Sequence, residues 1–202
     1  MFTDKLNLPI KSDPSSRADQ ILSLSNMTWA DYEAITSAEY PGYRAAFFQG
    51  VITIVSPSQN HEAIAETIGD LVKVYCRQAN LLYFPMGSTT LKNSPLAGKE
   101  PDQSFAFEQK KAFPDLAIEV IYSSGDIHDS LQKYQYLGIK EVWFWQSDRL
   151  SFYRLENLAY QTIEESVCLP KIIAESFSTF VNRGLTESPL TIEADFIEEL
   201  KF

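Results

Sequence analysis

The strongest periodicity in the chain starts at His61. Apolar residues then fall at Ile64, Ile68, Leu71, Val72 and Tyr75, the spacing of one helix face, and predict a helix that finishes near Asn80. Thr28, followed by Trp29, Ala30 and Asp31, has the form of a capping box and predicts a helix running to about Ala38, with Pro41-Gly42 as its break. Two apolar runs, residues 45–48 and 51–55, flank Gln49-Gly50 and read as a β-hairpin that ends at Ser56-Pro57-Ser58. Short extended pieces are expected over residues 81–84 and 87–91. A loop should follow over 92–99, where Pro95 and Gly98 interrupt the pattern.

Two strands come next, residues 101–107 and 115–122, followed by a turn at 123–126. A helix over 127–137 is stopped by Gly138. The run Glu141-Val142-Trp143-Phe144-Trp145 reads as a buried strand, residues 150–155 as its hairpin partner, and one further helix is expected near 176–182. This order describes an α/β chain, a mixed central β-sheet flanked by helices. Residues 1–26 are polar and carry Ser-Asp-Pro-Ser-Ser at 12–16, so they are expected as a tail; residues 27–190 form the single domain, and 191–202 an acidic tail.

Within that pattern one residue is out of place. Glu119 interrupts Leu116-Ala117-Ile118 and Val120-Ile121, the most apolar strand of the chain. An ionised carboxylate there costs several kcal/mol unless it is compensated by an arginine or lysine, a proton, or a metal. Alternation along a strand puts Asp115, Ala117, Glu119 and Ile121 on one face, and places Glu100 with Asp102 on the neighbouring strand if that strand reaches so far. Two carboxylates on adjacent strands suit Mg²⁺, which takes few carboxylates and keeps several waters; without a metal, their proximity should raise one pKa.

Composition narrows the choices. The 202 residues, 45% hydrophobic, support one well-cored domain. No stretch approaches the roughly 18 apolar residues of a membrane span, and the start lacks the basic and apolar segments of a signal peptide. Cys76 and Cys168 lie far apart, which argues against a disulfide framework and makes the cytoplasm the expected location. The net charge is −10. A surface that grips phosphates all over should be basic, so binding DNA here requires local cations or a divalent ion to offset the carboxylates. The two histidines have no serine or cysteine in a nucleophile-elbow context, and with two separated cysteines they do not make a structural zinc site. No glycine-rich phosphate loop occurs. Trp143, Phe144 and Trp145 read as core rather than as a base-stacking platform.

Glu100-Pro101-Asp102, a spacer of 16 residues, and Glu119 within Pro114-Asp115-Leu116-Ala117-Ile118-Glu119-Val120 resemble the Uma-type family of the PD-(D/E)xK nuclease superfamily. The resemblance extends to Phe48-Gln49-Gly50, Ser56-Pro57-Ser58 with His61, Gly87-Ser88-Thr89-Thr90-Leu91-Lys92, and Leu137-Gly138-Ile139 with Glu141-Val142-Trp143, covering about residues 28–155. It implies a restriction-endonuclease-like fold and a Mg²⁺- or Mn²⁺-dependent endonuclease hydrolysing DNA. Asp102, Glu119 and the Val120 carbonyl would hold the metal, Glu100 and His61 would be outer participants, and a lysine would stabilise charge on the phosphate.

The sequence departs from that pattern at the lysine. The expected position is Ile121, and the alternative at the start of the next helix is Ser130. Lys133, three residues on and about 60° further round the helix, is the expected substitute, and Lys92 the second candidate. Ala46 replaces a glutamate the family tends to have before the hairpin glycine. These departures keep open a catalytically degenerate binding or assembly module on the same fold. A homodimer, if formed, is expected to use residues 142–145 and the Phe152-Tyr153 hairpin.

Overall fold

A computed structural model describes residues 18–37, 42–122 and 126–200. The break expected at Pro41, most of the turn expected at 123–126, and the Ser-Asp-Pro-Ser-Ser stretch lie outside the described residues.

The elements run β1 (Gln20–Leu24), α1 (Trp29–Ser37), β2 (Arg44–Phe48), β3 (Val51–Ser56), α2 (Gln59–Gln78), β4 (Tyr83–Pro85), β5 (Leu91–Asn93), β6 (Ala97–Lys99), β7 (Gln103–Phe107) and β8 (Leu116–Ile121). The chain continues with α3 (Ile127–Leu137), β9 (Glu141–Gln146), β10 (Arg149–Glu156), β11 (Ala159–Ile163), α4 (Ala174–Arg183) and α5 (Pro189–Glu199). They build two sheets where the sequence pattern suggested one. The first, β1-β3-β2-β6-β5, is antiparallel throughout. The second, β11-β10-β9-β8-β7-β4, is mixed: β8 and β9 are parallel, with α3 as their crossover, and the other pairs are antiparallel. The α/β arrangement of strands and flanking helices is the one expected.

Local chemistry explains the elements that matched. Thr28 and Asp31 cap α1 reciprocally, the Asp31 carboxylate accepting from the Thr28 amide and the Thr28 hydroxyl from the Asp31 amide. Gln49 and Gly50 both take positive φ, the turn that matches the twist of a two-residue hairpin. Gly138 ends α3 at φ 69°, where a side chain would be strained.

The centre of the second sheet is buried on both faces, because alternate residues of β8 and β9 feed different cores. Leu116, Ile118, Val120, Trp143 and Trp145 pack toward α2, α4 and α5. Ala117, Val142 and Phe144 pack against Tyr134 and Leu137 of α3 and against Phe48, Leu91 and Ala97 of the first sheet. The outer face of the first sheet packs on α1 through Tyr32, Ile35, Phe47, Ile52 and Ile54.

Four expectations need correcting. The stretch expected as a tail up to residue 26 contains β1, which pairs with β3 from Gln20↔Ser56 to Leu24↔Ile52. Residues 92–99 are a β5–β6 hairpin rather than a loop, with Lys92 facing Gly98. The expected acidic tail is largely α5, anchored by buried Ile192 and Phe196 one turn apart. Residues 142–145 cannot be a homodimer surface: Val142, Trp143 and Phe144 are fully buried between β8 and β10, and Phe152 stacks on Trp143 at 4.2 Å.

Candidate metal centre

A cavity of about 290 Å³ opens between the inner face of the first sheet, the first turn of α2 and the start of α3. Six of the residues singled out from sequence line it: His61, Glu100, Asp102, Glu119, Val120 and Lys133. Lys92, the second candidate lysine, does not; it is exposed, with its ammonium 5.7 Å from the ring centre of Tyr32 on the far side of the hairpin.

Asp102 sits just before β7, where its amide donates to the Ile118 carbonyl at 3.1 Å and so enters the ladder beside β8. Its Oδ2 accepts from the Val120 amide at 2.7 Å. Its Oδ1 lies 2.8 Å from Arg44 Nε and 3.0 Å from His61 Nε2. Both donors are misaligned for a hydrogen bond to it, so these are charge contacts. Burial raises the Asp102 pKa, but the His61 charge, Arg44 and the Val120 amide outweigh it and hold the carboxyl below its ordinary value.

Glu119 projects from the middle of β8 on the α3 side. Its Oε2 accepts from Lys99 Nζ at 2.9 Å, and its Oε1 accepts a short hydrogen bond from the Tyr134 hydroxyl. Burial raises its pKa and Asp102 adds to the rise, against the opposing pull of Lys99 and Tyr134. One carboxyl of the pair is therefore depressed and the other raised, as two nearby carboxylates should be. Of the three forms of compensation open at the sequence level, the fold supplies a lysine.

The remaining expected residues are tied more tightly than anticipated. Glu100 accepts from the Ala45 amide at 2.8 Å and the Thr90 hydroxyl at 2.6 Å, which binds it to the first sheet. Lys133 is buried, but its ammonium pairs with Asp129 one turn back rather than with Glu119. His61, 2% exposed, lies between Asp102 and Asp19, its Nδ1 2.9 Å from Asp19 Oδ2. Burial opposes protonation there, yet the two carboxylates push its pKa up to about 10. The flanking carboxylates favour the imidazolium form, hydrogen-bonded through Nδ1 to Asp19 and in charge contact with Asp102, which suits His61 to positioning Asp102 rather than to acting as a base.

Sequence reasoning missed Asp19, Arg44, Lys99 and Tyr134. Asp19 precedes β1 and accepts from the Ser58 amide at the start of α2. Arg44 opens β2 and also forks onto Glu62 at 2.8 and 3.2 Å. Lys99 adjoins the Glu100-Pro101-Asp102 motif, and Tyr134 shares the inward face of α3 with Leu137. Adjacency to the motif was the available signal for Lys99; for Asp19 there was none.

A family model named Uma2 and described as "Putative restriction endonuclease" matches residues 29–179. The chain belongs to the Uma2 family. The match identifies the α/β arrangement as restriction-endonuclease-like and supports a nuclease-like function. It spans every cavity residue named above except Asp19. No curated protein matches the chain. Among the described residues no helix is long and apolar enough to cross a membrane.

The cavity residues fit a hard divalent cation. Six carboxylates line the cavity against Arg44, Lys99, Lys133 and the His61 imidazolium, leaving a formal residue of two negative charges. Among the described residues no group of three His, Cys, Asp or Glu side chains is poised to hold a metal. A cation placed there would rest on Asp102, Glu119 and water, an all-oxygen donor set of the kind hard divalent ions take.

Proposed function

We propose that this Uma2 protein is a Mg²⁺- or Mn²⁺-dependent endonuclease that hydrolyses DNA phosphodiester bonds. One observation carries the proposal: Asp102 and Glu119, from neighbouring strands, meet in one cavity that retains negative charge after its internal ion pairs are formed. Asp102 and Glu119 would be the ligands, with the Val120 carbonyl beside them. A bound divalent ion supplies Lewis-acid polarisation of the phosphate and acidifies a water.

The protein's own groups do the rest. Arg44, His61 and the Val120 amide fix the Asp102 carboxylate from three directions, so its geometry is set before any ligand arrives. Glu100 ties the strand entering Asp102 to β2. The repulsion between phosphate and an acidic protein would be offset by a divalent ion held between the carboxylates. Cutting both strands would take two copies, which would have to meet through a surface other than residues 142–145.

The test is cleavage of plasmid and oligonucleotide DNA with Mg²⁺, Mn²⁺ or chelator, using Asp102→Asn as the control. Cleavage that needs the ion and disappears in Asp102→Asn supports the reading; cleavage that survives the substitution removes Asp102 from the mechanism. The rival, a catalytically silent binding or assembly module, draws on the internal pairing of both carboxylates. It predicts no divalent-ion binding by calorimetry and none to lose in Glu119→Gln.

A further inference from the structure

Lys99 is the cation nearest Glu119 and the sequence pattern does not single it out. It ends β6, where its antiparallel partners are Ala46 on β2 and Leu91 on β5. Leu91 packs toward α3, so the shared pleat sends the Lys99 side chain the same way, into the cavity. Gly98, one residue earlier, belongs to the opposite face and lies against Tyr32. On the β2 side Lys99 faces the Ala46 methyl and on the β5 side the apolar Leu91, neither of which offers a competing carboxylate. The lysine side chain is 13% exposed, its ammonium 2.9 Å from Glu119 Oε2 and 5.9 Å from the Tyr134 ring centre. Lys133, by contrast, is already matched with Asp129.

We infer that Lys99 has two successive partners, serving as the built-in counter-ion of Glu119 in the ion-free protein and as the lysine that faces the scissile phosphate once Glu119 is shared with a divalent cation. The inference rests on the proposed nuclease reading. The physical basis is competition: an ammonium and a divalent cation cannot both hold the same carboxylate oxygen without strong repulsion. The long lysine stem lets the ammonium leave Glu119 while its Cβ stays in the sheet, still inside the cavity and free to donate to an anionic oxygen. No bond is made or broken by Lys99 and its proton stays in place; its contribution is charge against charge.

This role has a signature that a merely structural lysine lacks, because metal affinity and turnover move in opposite directions. Calorimetry of the full chain with Mn²⁺ should find Lys99→Met binding at least tenfold tighter than wild type, about 1.4 kcal/mol. Under saturating Mn²⁺ the same variant should cut DNA at least 100-fold more slowly, with KM for DNA within about threefold. Lys99→Arg should recover part of the rate, since it restores the charge. Lys92→Met, altered on the outer side of the hairpin, should match wild type in both measurements. Unchanged or weaker Mn²⁺ binding in Lys99→Met overturns the counter-ion role, and full turnover overturns the phosphate role; either can occur while Asp102-dependent cleavage stands. Tighter binding in Lys99→Met by a protein that cuts no DNA even as wild type would sink the nuclease reading and, with it, the phosphate role, while supporting the counter-ion role.

Discussion

His61→Gln tests the charge arrangement around Asp102 without reference to catalysis. Glutamine keeps a hydrogen-bonding amide beside Asp19 and removes the positive charge. In the folded protein Asp102 and Asp19, at 3.0 and 2.9 Å, raise the His61 pKa to about 10 against the cost of burial. An unfolded histidine titrates near 6.5. Below about pH 6.5 both states bind the proton and the contribution to stability is fully present. Above it the native state holds a proton that the unfolded state has lost, so the contribution falls as pH rises and is gone above about pH 10. The interval corresponds to ~5 kcal/mol, lost at about 1.4 kcal/mol per pH unit. Asp102 and Asp19, both with lowered pKa, are ionised throughout this range and add no slope to it; their contribution is lost only as pH falls through their folded values, below the ordinary aspartate range.

For a domain of this size 1 kcal/mol moves Tm by about 2–4 °C, so the gap between wild type and His61→Gln should narrow by about 3–5 °C for each pH unit between 7 and 9. Thermal unfolding followed by circular dichroism in chelator-containing buffer measures it. The slope discriminates, because any pH-independent cost of placing an amide in the site shifts both ends equally. Parallel wild-type and variant profiles from pH 7 to 9 would refute an imidazolium clamped between two carboxylates. The chain has two histidines, so loss of one set of ring resonances in His61→Gln also assigns the signal whose titration should move to high pH.

Two substitutions probe the scaffold that holds the site. Gly98→Ala would place a Cβ 2.2 Å from Tyr32 Cε1 and 2.5 Å from its Cζ, and that ring is fully buried; the overpacking should cost about 1–3 kcal/mol, and an unchanged midpoint in urea would contradict the close approach of α1 to β6. Glu141→Gln replaces a carboxylate that accepts from Trp143 Nε1, Ser166 Oγ and the Val167 and Cys168 amides with a group that must turn an NH₂ toward some of those donors. A loss of ~2–4 kcal/mol is expected, with faster amide hydrogen exchange at Val167 and Cys168, and protection equal to wild type would count against the four-donor arrangement.

The elements readable from sequence are those whose signals are local. Helix α2 declares itself by its apolar stripe, α3 by Gly138, and the β2–β3 hairpin by Gln49-Gly50 between apolar runs. Strand β1 has no such signal, since it is five residues long, none of them fully buried, Ile21 and Ser23 face the open cavity, and its partner lies some thirty residues away. Helix α5 buries only Ile192 and Phe196 and exposes most of its acidic remainder, so composition made it resemble a tail. Strand β6 is three residues long and includes a glycine; only its pairing with β2 and β5 makes it a strand. The same division runs through the site. Asp102 and Glu119 were legible because a carboxylate in an apolar strand is conspicuous and the family spacing matched. Their partners Asp19, Arg44, Lys99 and Tyr134 come from separate places in the chain and become neighbours only when two sheets and two helices close around them.

Those partners give the carboxylates a second task that bears on how the site can be altered. Arg44 and Lys99 belong to the first sheet, Asp102 leads into β7 of the second, and Glu119 lies on β8, so the two ion pairs bridge the sheets across the cavity. Asp102→Ala would leave Arg44 to Glu62 and His61 to Asp19, cut their link to the second sheet and orphan the Val120 amide, a loss in the range of ~1–3 kcal/mol that unfolding alone could turn into lost activity. Asp102→Asn keeps an acceptor for Val120 and a dipole toward the cations while removing the ligand charge. Loss of cleavage in Asp102→Asn with a Tm still well above the assay temperature therefore speaks to chemistry, whereas the alanine variant cannot separate chemistry from the joint between the sheets. An acidic chain can keep such a cavity because its two central carboxylates are balanced from other elements, Asp102 by Arg44 and His61 and Glu119 by Lys99, and the same balance means that a divalent ion shared by them must displace a protein cation to enter.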